Sequence, residues 1–111
     1  MTAPNMIFPK SIIGKTAVQA VGVSATAIVT AASNTVVKVN ALYVCNIDAT
    51  ASYKITVTTR STRLLYQVSI PAGAGLDVLS KSIYLEEGDT LSLTADTASK
   101  LEAVASYEVI S

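Results

Sequence analysis

The chain has no histidine, no tryptophan, a single cysteine and few charges. Each shortage closes off a class of function. Without histidine there is no Ser-His-Asp triad, and no Cys/His zinc pattern exists. One cysteine leaves no intrachain disulfide. A nucleophilic thiol wants a basic neighbour, whereas Cys45 ends an apolar run, Leu42-Tyr43-Val44-Cys45, which predicts a small buried hydrophobe. Charged residues are 14% of the chain, well below the roughly 25% of a typical domain. Eight basic and eight acidic residues cancel, so there is no electrostatic footprint for nucleic acid. Arg60 and Arg63 lie close together, but a solvated turn accounts for them. Long apolar runs are missing too. Residues 17–32 are rich in small side chains, yet Gln19, Ser24, Thr26 and Thr30 make the run too polar and too short to span a bilayer. The opening MTAPN lacks the basic start and apolar centre of a signal peptide. These features predict a soluble protein made in a cytoplasm, with no nucleic-acid or membrane partner.

What is present is β-forming. Half of the 111 residues are hydrophobic, mostly Ala, Val, Leu and Ile, and Val, Ile, Thr and Tyr suit strands. One domain of this length buries a core without disulfides or metals. Residues 84–111 show the pattern most clearly. Glu86-Glu87-Gly88-Asp89 is a turn, with Gly88 free to take positive φ. After it Leu91, Leu93 and Ala95 face one way, and Leu101, Ala103, Ala105, Tyr107 and Val109 share a face in the last strand. Earlier, Val37, Val39, Ala41, Tyr43, Cys45 and Ile47 share a face of the longest strand. Tyr53, Ile55 and Val57 do so in the next, and Leu64, Tyr66, Val68 and Ile70 in the one after. Two strands are expected near 17–23 and 25–31. Pro71-Ala72-Gly73-Ala74-Gly75 is a loop. Strands every eight to twelve residues predict an all-β fold: a single antiparallel β-sandwich, jelly-roll or Ig-like, with seven or eight strands. Residues 1–14 differ. Pro4 and Pro9 favour extended backbone, while Met6, Ile7, Phe8, Ile12 and Ile13 are too apolar for a disordered tail. They predict an extended N-terminal arm, 1–14, ahead of a β-sandwich domain, 15–111, with those five side chains as its interface.

No segment carries chemistry. Glu86, Glu87 and Asp89 gather three carboxylates, but calcium needs more ligands at set spacing, so a solvated turn is the reading. Pairing them with Asp77 or Asp96 for glycoside hydrolysis is a claim that fits almost any sequence. Gly73-Ala74-Gly75 has no following lysine or helix and is no phosphate loop. Tyr43, Tyr53, Tyr66 and Tyr107 fall on expected inward faces, leaving Tyr84 to look outward, which is thin support for a glycan platform. The chain is therefore expected to be no enzyme and to need no cofactor or metal.

Four pieces do resemble something known. LYVCN at 42–46, VSIPAGAGLDVL at 68–79, LEEGDTLSLTA at 85–95 and VASYEVIS at 104–111 are similar, in order and spacing, to small β-sandwich virion structural proteins of tailed bacteriophages. The resemblance covers about residues 42–111. It implies a non-enzymatic protein of the decoration or accessory type, located in the virion. A capsid decoration or cement role stands first; a neck, tail or fibre accessory, or a glycan-binding adhesive module, is the alternative. It also implies partners: copies of itself and other virion proteins such as the major capsid protein. Low charge, which favours association, and the apolar arm agree with a part of an assembly.

Overall fold

The computed structural model describes residues 11–111. Nine strands follow in order: β1 (Ile12–Val21), β2 (Thr26–Thr30), β3 (Val36–Asn46), β4 (Tyr53–Thr59), β5 (Thr62–Ile70), β6 (Gly75–Asp77), β7 (Ile83–Leu85), β8 (Thr90–Ala95) and β9 (Leu101–Ile110). No helix occurs among the described residues. One sheet runs β1-β9-β3-β6, with β7 also paired to β3; the other runs β2-β8-β4-β5. All pairings are antiparallel. β6 pairs with Tyr43–Cys45 and β7 with Val37–Val39 of the same strand. Taken together they are one interrupted strand, and the order is then that of an eight-stranded jelly roll. The antiparallel sandwich expected from the alternation is present. The described residues hold nine strands where seven or eight were expected, because the sixth of eight is split into β6 and β7.

The core lies between the sheets. Val21, Val37, Val39, Leu42, Val44, Leu101, Ala103 and Ala105 of the first sheet meet Val29, Ile55, Val57, Leu91, Leu93 and Ala95 of the second. Each sheet has one apolar face that only another layer can remove from water, so two sheets pack face to face. Burying each Val, Leu or Ile side chain contributes roughly 1.5–3 kcal/mol, set against the entropy of ordering the chain.

Turn chemistry fixes the corners. Glu86–Asp89 is a tight turn closed by Asp89 N donating to Glu86 O at 2.9 Å. Gly88 sits there at φ 86°, the left-handed position a type II turn requires. Arg60 and Ser61, both with positive φ, form the two-residue hairpin turn between β4 and β5. Positive φ at both central residues matches the right-handed strand twist.

Strand phase departs from the sequence reading at the bulges. Between Val39 and Ala41 the β3–β9 register shifts by one residue, so Asn40 is an extra residue in β3. Alternation restarts after it: Leu42, Val44 and Asn46 turn inward, while Tyr43, Cys45 and Ile47 are exposed. The expectation that Cys45 is buried is therefore wrong; its thiol is exposed. β5 behaves alike. Its register with β4 shifts twice, Gln67 takes φ 49°, and Leu65, Val68 and Ile70 face the core while Leu64 and Tyr66 are exposed. Of the four tyrosines expected inside, Tyr53 and Tyr107 pack against the core, and Tyr43 and Tyr66 do not. Tyr84 is exposed, as expected. The first strand begins earlier than the sequence suggested, so residues 12–14, counted with the arm, are the start of β1.

Candidate functional site

Among the described residues no cluster of three or more His, Cys, Asp or Glu is placed to hold a metal. The acidic turn is occupied by protein groups. The Arg60 guanidinium pairs with Glu86 and, at 2.7 Å, with Asp89. Asp89 also accepts from Glu86 N at 3.0 Å, and Glu87 accepts from Asn34 N. These contacts tie the β4–β5 hairpin to the turn before β8. They are exposed, so their individual contributions are small.

A denser polar cluster stands at the end of β3. Asn46 is fully buried. Its amide donates to Ala51 O at 2.8 Å and Ile70 O at 3.0 Å, and its carbonyl accepts from Asp48 N at 2.9 Å. Asp48 then accepts from Thr50 N, Tyr53 Oη, Thr50 Oγ1 and Ala51 N, with Lys100 Nζ at 3.4 Å. The Thr50 amide, the Tyr53 phenol and the Thr50 hydroxyl hold the Asp48 carboxyl well below the usual carboxylate range. The same hydrogen bond to Asp48 pushes the Tyr53 phenol up. Every group here has a protein partner, and together they clamp the loop after β3.

The remaining distinctive features are surfaces. On the outer face of the first sheet, Val18 pairs with Val104, Val104 with Tyr43, and Tyr43 with Asp77. Val18, Val104 and Tyr43 are exposed and form an apolar row that runs to β1, the edge strand of this sheet among the described residues. Ala20, Cys45 and Ile47 are exposed beside it. The outer face of the second sheet is built of hydroxyls instead, with Thr56 opposite Thr94 and Thr58 opposite Ser92.

Of the five interface residues expected from sequence, Ile12 and Ile13 lie at the start of β1, 58% and 51% exposed. Met6, Ile7 and Phe8 lie outside the described residues. The structure adds Val18, Val104, Tyr43 and Ile47, which sequence reasoning missed. For Tyr43 and Ile47 the available signal was Asn40, a poor strand former in the middle of β3.

The fold defines a class, the jelly-roll β-sandwich, an architecture shared by viral capsid and lectin domains among others. No protein-family model matches the chain, and no curated protein matches it. Solved structures do. A chain of the acid-stable capsid structure of Helicobacter pylori bacteriophage KHP30 superposes with a TM-score of 0.59 at 9% identity, covering 94% of this chain and 90% of that one. A chain from the disulfide-linked pili that form Bacillus endospore appendages gives a TM-score of 0.49 at 11% identity, covering 91% and 88%. The likeness to the phage capsid chain establishes a shared fold over nearly the whole length.

Proposed function

We propose that the chain is a non-enzymatic structural protein of a tailed-phage virion that decorates or cements the capsid. It assembles with copies of itself and with the major capsid protein. The observation that supports this reading is the fold shared, over 94% of this chain, with a chain of a phage capsid structure. The motif resemblance at 42–46, 68–79, 85–95 and 104–111 points the same way. The surface agrees: an apolar row on one face, low charge, and a polar cluster satisfied within the protein. Met6, Ile7, Phe8, Ile12 and Ile13 supply part of the contact. Burying each such side chain on a partner stabilises by roughly 1.5–3 kcal/mol.

The test is co-sedimentation of the purified chain with particles of the phage that encodes it, after depletion of the endogenous copy. Full-length protein pellets with the particles, and a version lacking residues 1–10, which keeps all of β1, folds but pellets weakly. Failure of the full-length protein to pellet would refute the virion reading. Full binding by the truncated protein would remove Met6, Ile7 and Phe8 from the contact.

A further inference from the structure

Four strand edges bound the two sheets, and three of them are blunted. β2 is five residues long with a register shift at Ile28. β5 is bulged twice, carries Arg63 and holds Gln67 at positive φ. β6 and β7 are three residues each, separated by a break. Short strands, bulges and charges are how proteins keep an edge from recruiting another strand. β1 is neither short nor bulged, and a single charge is its only such defence. It is ten residues long, pairs with β9 without a register shift, and contains one charge, Lys15, and no proline. Val18, in its second half, is 77% exposed, the most exposed large apolar side chain among the described residues.

We infer that the β1 edge pairs antiparallel with β1 of a second copy, about a two-fold axis that sets Val18 opposite Val18 of the partner copy. This rests on the self-assembly part of the proposed function and names its surface. Two observations select a second copy. The apolar row Tyr43–Val104–Val18 runs straight to this edge, and the two-fold continues it into an identical row with no polar interruption. The charges also fit. The chain has equal numbers of acidic and basic residues, so two copies meet without net repulsion. Lys15 lies three positions from the axis on each strand. The two ammonium groups are then roughly 20 Å apart along the strands, beyond the Debye length of about 8 Å at physiological salt.

The test uses full-length protein with Cys45→Ser, so that the exposed native thiol takes no part. Val18→Cys in that background is compared with Val104→Cys. Directly opposed residues of an antiparallel pair have Cα atoms about 4.5–5.5 Å apart, within disulfide reach. Val104, one strand further in on each copy, would be about 14 Å from its mate, outside it. Mild oxidation should link V18C into a covalent dimer and leave V104C as single chains on a non-reducing gel. Val18→Lys should raise the dimer dissociation constant at least tenfold by sedimentation equilibrium, with the melting temperature unchanged. A wild-type dimer without V18C cross-linking, or equal cross-linking by V104C, overturns the edge assignment while self-association stands. A wild type that stays monomeric overturns the second copy as occupant, and particle binding then decides the virion reading separately.

Discussion

Replacing Asn46 by leucine removes the only fully buried polar side chain among the described residues. Leucine has the same branched four-heavy-atom skeleton, so no cavity arises, and its bulkier methyl groups add strain in the same direction as the lost hydrogen bonds. Ile70 O loses its 3.0 Å partner in a buried position, a cost of about 1–3 kcal/mol. Ala51 O and Asp48 N are part-buried and can turn partly to water, at about 0.5–1.5 kcal/mol each. The expected loss is about 2–6 kcal/mol, a large share of the roughly 5–15 kcal/mol that stabilises a domain. At about 4 °C per kcal/mol, the melting temperature followed by circular dichroism should fall by at least about 8 °C. Asn46→Asp should be worse near neutral pH. It keeps the acceptor for Asp48 N but turns a carboxylate oxygen toward two carbonyls, so its deficit should shrink as the pH falls and the carboxyl protonates. A drop below about 4 °C for Asn46→Leu would show that the clamp is not holding the β3–β4 loop to the end of β5.

Cys45, exposed on the outer face, should react stoichiometrically with a thiol reagent without denaturant; protection would put it back in the core. Gly88→Val should cost about 1–3 kcal/mol, because Gly88 holds φ 86°; an unchanged melting temperature would contradict this. The Asp48 carboxyl lies below its unfolded value, so its contribution is complete above about pH 4 and is lost as the pH falls below that. Asp48→Asn should flatten the acid limb of the stability–pH curve, and an equally steep limb would mean other carboxylates dominate it. Tyr53 is raised, so its contribution is complete below about pH 10 and lost above it; Tyr53→Phe should flatten the alkaline limb, read by the same melting curves.

The sandwich was legible where strands are regular. In β8, Leu91, Leu93 and Ala95 are buried in strict alternation, and in β4 Ile55 and Val57 are. In β9, Leu101, Ala103 and Ala105 are buried. Gly88 announced its turn by chemistry that glycine alone supplies without strain. Phase was lost wherever one extra residue entered a strand, since a one-residue slip exchanges the two faces. Asn40 sent Tyr43 and Cys45 outward, and the shifts around Leu64 and Gln67 did the same for Tyr66. Such slips follow from long-range pairing, which periodicity along one strand does not contain. The apolar row is hidden for the same reason: Val18, Val104 and Tyr43 are far apart in sequence and become neighbours only through β9. Nor is the length of β1 visible locally, because Ile12 and Ile13 owe their strand conformation to Ile110 and Val109 of β9.

A built-in virion protein is present in every purified particle. Peptide mass spectrometry of density-purified particles of the encoding phage, scaled to the major capsid protein, tests this most directly. This chain should be found at a fixed, multi-copy ratio that survives repeated purification. Its absence from the particles, or a ratio that falls with each round of washing, would contradict it.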